Sequence, residues 1–152
     1  MSTHPFVLVD VFTQRPLAGN QLAVLMDADG LTDRQMQAIA LEFGYSETTF
    51  VLPPRRDRAT WRLRSFTPSV EVFGAGHNAL GAWWVLAARG RVPVSEPRIQ
   101  VWQELGDRVL PVDIESRGGL PDRVWMTQAP PIWGDAVQDR ARLARVIRDS
   151  PG

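Results

Sequence analysis

The chain contains no cysteine. Disulfides, thiolate metal sites and thiol nucleophiles are therefore excluded. Histidine is nearly as scarce, with only His4 and His77. A histidine-based metal site within one chain is not expected from such a set. Net charge is absent too, because 17 basic residues balance 17 acidic ones. No overall field points to a nucleic acid or a membrane surface as partner. The densest basic cluster, Arg55-Arg56-Asp57-Arg58, follows Pro53-Pro54 and reads as a solvated loop. No leader peptide and no membrane-spanning apolar run is recognisable, so a cytoplasmic location is expected. There is no internal repeat and no low-complexity linker. A length of 152 residues with 44% hydrophobic content suits one domain with a sizeable core.

What is present is organised around residues 73–89. A glycine-rich turn, Phe73-Gly74-Ala75-Gly76-His77-Asn78, runs into a segment with no charged residue from 79 to 88, and Gly90 ends it. A short helix without a polar face belongs in the middle of a fold, buried on all sides. Gly74 and Gly76 allow positive φ and close backbone approach. Free N–H groups and the helix dipole at such a start attract an anion such as a carboxylate. His77 in the first turn can donate, accept or carry a proton. These residues alone leave two readings open: a helix aimed at a ligand, or a plain cap on a core helix.

The flanking chain reads as mixed strands and helices. Residues 6–12 and 21–26 have strand character, separated by a loop with Pro16 and Gly19. Thr32 with Gln35 three residues later makes a capping box, Met36, Ile39, Ala40 and Phe43 form one apolar stripe, and Gly44 stops the helix. Residues 45–52 are β-prone and carry one acid, Glu47, among the hydroxyls of Ser46, Thr48 and Thr49. Glu47 can be a solvent-facing strand residue or a carboxylate in a polar pocket. Residues 59–66 form a strand with Trp61 and Leu63 on one face and Arg62 and Arg64 on the other. Short strands are expected near 98–102, 108–114 and 123–128, with turns at 106–107 and 117–121. Residues 129–131 form a rigid exit, and 135–149 a last helix with Val137, Ala141, Ala144 and Ile147 on one side. Trp61, Trp83, Trp84 and Trp102 are expected in the core. Strands running around one buried helix give an α+β architecture.

The motifs Gly44-Tyr45-Ser46-Glu47-Thr48-Thr49-Phe50-Val51, Phe66-Thr67-Pro68, Glu71 and Gly76-His77 resemble the phenazine-biosynthesis PhzF-like family. Val9-Asp10-Val11-Phe12-Thr13, Gly19-Asn20 and Gln128-Ala129-Pro130-Pro131 fit as well. The resemblance implies a diaminopimelate epimerase-like lobe: a curved, mostly antiparallel sheet wrapped around a central buried helix. Chains of this family have two similar lobes with the active site between them, and the present motifs cover a single N-terminal lobe. It further implies a cofactor-independent isomerase that moves a proton on a small unsaturated or cyclic carboxylate, as in trans-2,3-dihydro-3-hydroxyanthranilate isomerisation. In that pattern Glu47 shuttles the proton and His77 assists, with Gly76, Asn78, Ser46 and Asn20 as substrate-binding candidates. Such chemistry needs a weak base, a site that excludes water and stabilisation of a delocalised anion.

Three departures from the pattern stand out. The cysteine that precedes the turn glycine in epimerase relatives is Ala75 here, which excludes a two-thiol racemase. Asn78 replaces the small residue common after the histidine. The second lobe, with its aspartate and its Gly-Ser anion site, has no counterpart in these residues. Three functional readings follow. The cleft forms between two copies in a homodimer, or against a partner chain carrying the second lobe, or the lobe is a non-catalytic small-molecule binding or interaction module.

Overall fold

The computed structural model describes residues 3–149 apart from 75, 95, 129, 130 and 132. Ala75, and the expected exit at Ala129 and Pro130, lie outside the described residues. The elements are β1 (Phe6–Val11), β2 (Asn20–Leu25), α1 (Asp33–Phe43), β3 (Glu47–Leu52), β4 (Trp61–Phe66), β5 (Glu71–Val72), α2 (His77–Ala88), β6 (Arg98–Leu105), β7 (Arg108–Arg117), β8 (Leu120–Met126) and α3 (Arg140–Asp149).

Local signals set α1. The Thr32 hydroxyl accepts the Gln35 N–H at 3.3 Å, and the Gln35 side chain accepts the Thr32 N–H at 2.9 Å. Both ends of the capping box are thus made, worth about 1 kcal/mol for the cap residue. Gly44 closes the helix with φ 65°, in the left-handed region that suits glycine, and its N–H reaches Ala40 O.

The strands form one sheet in the order β1-β2-β3-β4-β6-β7-β8, with β5 beside β4. The β2–β3 and β4–β6 pairings are parallel and the other five antiparallel. The parallel pairings follow from topology, since helices α1 and α2 lie in the crossovers. Strand alternation then divides β3. Val51 joins the cluster around Ala82, Trp83 and Leu86 of α2, while Phe50 and Leu52 join Met36 and Ala40 of α1. The sheet therefore carries α1 on its outer face and wraps its inner face around α2. Strands β1, β2, β3, β7 and β8 all touch α2. Gly81 allows this closeness, because a Cβ there would stand 2.7 Å from Leu22 Cδ2 and from Val11 Cγ2.

The wrap does not close. Edge strands β1 and β8 face each other across a groove of about 780 Å³, floored by Leu80, Gly81 and Trp84. This corrects the expectation of a helix buried on every side: Trp83 is fully buried, but Trp84 is 40% exposed where no strand covers it. Trp61 and Trp102 are half-buried rather than core. Strand β6 runs on to Leu105, because Gln103 and Glu104 are buried with partners. Trp83 Nε1 donates to Gln103 Oε1 at 3.1 Å, and the Arg55 and Arg56 N–H groups donate to Glu104 Oε2 at 2.7 and 3.0 Å. Strand β8 starts at Leu120, and α3 starts at Arg140 rather than Asp135. Arg62 and Arg64 share a face as expected, with Arg64 bidentate on Glu71 and reaching Asp33 of α1. Among the described residues, no helix is long and apolar enough to cross a membrane.

Candidate active site

The sheet register brings the motif residues to one end of the lobe. Val11, the last residue of β1, pairs with Asn20, the first of β2. Leu22 of β2 stands level with Glu47, the first residue of β3, and Thr48 pairs with Phe66, the last of β4. The connections 12–19, 44–46 and 67–70 thus emerge together, beside the start of α2. Glu47 and Thr49 share the inner face with Val51 by strand alternation.

His77 Nδ1 stands 3.9 Å from Glu47 Oε2, close enough for charge interaction and too far for a hydrogen bond. The His77 side chain is 11% exposed and that of Glu47 22%. Glu47 Oε2 and His77 Nε2 are buried with no hydrogen-bond partner among the described residues, as is Thr48 Oγ1. Buried polar atoms are nearly always paired, so an orphaned acceptor and an orphaned ring nitrogen at one spot invite a ligand. Burial pushes the Glu47 carboxyl above its usual range, partly offset by the nearby His77. A carboxyl so shifted takes up and returns a proton more readily at neutral pH.

The other sequence candidates are placed as follows. Ser46 Oγ donates to Asn20 Oδ1 at 3.4 Å, a long bond that joins the starts of β2 and β3. Asn78 Oδ1 accepts the Gly76 N–H at 2.7 Å, and Asn78 Nδ2 donates to Gly74 O at 3.1 Å. The candidates Gly76 and Asn78 are thus bonded to each other. Neither Gly74 nor Gly76 uses the positive φ that glycine allows. A Cβ at Gly74 would meet nothing within 4 Å, and one at Gly76 only Asn78 Oδ1 at 3.8 Å. The hydroxyls near Glu47 do not orient it. Thr48 lies on the opposite face, and Thr49 is bonded to Ser65 at 2.8 Å.

Sequence reading missed an apolar rim. Phe12, Leu17, Val70 and Phe73 are all largely exposed, on connections that emerge at this end. Phe12 and Leu17 hold φ of 67° and 61°, which non-glycine residues rarely adopt, and Asp10 Oδ2 accepts the Leu17 N–H at 2.7 Å. Apolar side chains held outward in a strained loop are a signal that only geometry gives. Among the described residues, no group of three His, Asp or Glu is placed to hold a metal ion.

A curled sheet around a central helix defines a lobe of the diaminopimelate epimerase-like fold, here with a carboxylate and an imidazole facing each other at the helix start. The family model described as phenazine biosynthesis-like protein matches residues 9–147, and the chain belongs to this PhzF family. It is 37% identical over 148 residues to trans-2,3-dihydro-3-hydroxyanthranilate isomerase of Pseudomonas fluorescens, covering 97% of this chain and 51% of that one. An uncharacterized isomerase of Mesorhizobium japonicum is 51% identical over 87 residues, 57% of this chain and 29% of that one. A solved PhzF-family phenazine biosynthesis protein of Bacillus anthracis superposes with a TM-score of 0.66 at 35% identity, covering 77% of this chain and 38% of that one. The chain thus spans about half, or less, of the length of these relatives.

Proposed function

We propose that this chain is one lobe of a PhzF-type isomerase that moves a proton on a small unsaturated or cyclic carboxylate. The observation that carries the reading is the Glu47–His77 pair, 3.9 Å apart, with Glu47 Oε2 and His77 Nε2 both buried and unpartnered. In the proposed step the Glu47 carboxylate removes a proton from a substrate C–H. The electron pair of that bond spreads into the conjugated system, and Glu47 returns the proton to a different carbon. No net proton is gained or lost. His77 binds and orients the substrate beside Glu47, and the first-turn N–H groups of α2 favour the substrate carboxylate. Desolvation of Glu47 supports the assignment, because a fully solvated carboxylate is too weak a base for the return step to compete.

The site closes, in this reading, against a second lobe. The exposed rim of Phe12, Leu17, Val70 and Phe73 supports it, because a lobe working alone gains nothing from that exposed apolar surface. A second copy of the chain is the proposed partner, through an isologous interface. A partner chain carrying a distinct second lobe is the alternative.

The test is proton exchange. The protein is incubated in D2O with trans-2,3-dihydro-3-hydroxyanthranilate, and deuterium in product and recovered substrate is read by mass spectrometry. Deuterium incorporation is expected with the wild type, lost in Glu47→Gln and weakly retained in His77→Ala. Full incorporation in Glu47→Gln removes the carboxylate from the mechanism. Light scattering on the same sample reads the assembly. A monomer that incorporates no deuterium with any carboxylate tried favours the binding-module reading.

A further inference from the structure

Asn78 does a different job from the one its neighbourhood suggests. Its side chain is 2% exposed and has both ends committed to the backbone of the turn that precedes it. The oxygen takes the Gly76 N–H, and the nitrogen gives to the Gly74 carbonyl. Helix α2 has no side-chain cap from its N-cap residue, since that residue is Gly76. Asn78, the second helical residue, reaches backward instead and ties the turn to the helix. Glycines impose no conformation of their own. His77 sits between the clamped turn and the clamp, so the angle at which its ring meets Glu47 depends on these two bonds.

We infer that Asn78 is a positioning residue: it ties the backbones of Gly74 and Gly76 to the helix, withdraws the Gly76 N–H from any ligand and sets His77 over Glu47. The catalytic consequence rests on the proposed isomerase reading. The structural claim stands apart from it and has its own readout.

Amide hydrogen exchange measured by NMR reads the clamp. The Gly76 N–H lies ahead of the helix ladder and donates to the Asn78 side chain, so its protection reads that bond. It should be protected in the wild type and exchange about tenfold faster in Asn78→Ala, as loss of one hydrogen bond allows. The imidazole signals of His77 should move in Asn78→Ala while those of His4, the other histidine, stay in place as an internal reference. An unprotected Gly76 amide in the wild type overturns the inference without any variant. So does unchanged Gly76 exchange, or an unmoved His77 ring, in a folded Asn78→Ala. Should Asn78→Ala not fold, unchanged Gly76 exchange in Asn78→Leu, which keeps the shape of the side chain and removes both bonds, overturns it equally. If the wild type incorporates deuterium, Asn78→Ala should lower kcat on the order of tenfold or more with KM little changed, as misplacement of a reacting group does. A KM effect with kcat unchanged makes Asn78 a binding residue and overturns the inference. If the wild type is inactive, the isomerase reading fails, and exchange and ring shifts still decide the clamp.

Discussion

Leu86 offers a quantitative test of the helix that presents His77. It is 1% exposed and sits on α2 in the main core with Leu63, Trp83, Val101 and Val112. Replacing it with alanine removes three carbons from a fully dry site, a transfer loss of about 2–2.5 kcal/mol at ~0.8 kcal/mol for each buried carbon. A cavity term adds to this, growing by about 24 cal/mol for each Å³ that fails to close. Closure is hard here, because strands from both ends of the sheet hold α2: β1, β2 and β3 on one side, β7 and β8 on the other. The expected cost is therefore about 3–5 kcal/mol, the upper part of the range for such changes. For a chain of this length that lowers Tm by roughly 8–16 °C. Trp84→Ala is the control on the same helix. Its ring is 40% exposed over the groove, so the loss should be clearly smaller than that of Leu86→Ala although a larger side chain is removed. Urea melts followed by tryptophan fluorescence and far-UV circular dichroism measure both. A Leu86→Ala loss below about 1 kcal/mol, far under that range, would show that α2 is not enclosed as described. Equal losses in the two variants would show that the groove side is covered.

Two further outcomes follow. Trp83→Phe removes three ring atoms from a fully buried site and strands Gln103 Oε1, a buried acceptor at 3.1 Å from the indole nitrogen; the stranded acceptor should cost about 1–3 kcal/mol in the same melts, with a cavity cost in addition; a change near zero would mean that Gln103 has another donor and that the site has closed. Glu47→Gln should stabilise the protein near pH 7 and lose that gain as the pH falls below 4.5, compared by urea melts at the two pH values. The sign follows from the raised carboxyl: the folded state holds the proton more tightly than the unfolded state, so ionised Glu47 costs stability above its folded pKa, and nothing is lost once both states are protonated. A Glu47→Gln variant less stable than wild type near pH 7 contradicts this.

Much of this fold is legible in local chemistry. Thr32, Gln35 and Gly44 announce both ends of α1, and the uncharged run after His77 announces α2. What escaped reading depends on partners distant in sequence. Gln103 and Glu104 look like the polar end of a strand, yet they are core residues because Trp83 and the backbone of Arg55 and Arg56 satisfy them. Trp84 looks like core, yet it lies under the groove between β1 and β8. At the site, the types of Glu47 and His77 and their motifs were readable, while their approach depends on the β2–β3 register. The bonds of Asn78 to Gly74 and Gly76 were not readable, because these partners show no polar side chain in the sequence. The rim of Phe12 and Leu17 was invisible, since left-handed backbone at a non-glycine residue leaves no mark in composition.

The most direct test of the central claim is the titration of Glu47 itself, followed by carboxyl 13C NMR with Glu47→Gln to assign the signal. A desolvated proton shuttle should titrate above the ordinary value of 4.5, and higher still in His77→Ala, where the charge that lowers it is gone. A wild-type Glu47 that titrates at or below 4.5, or that does not respond to loss of His77, would contradict the acid–base pair.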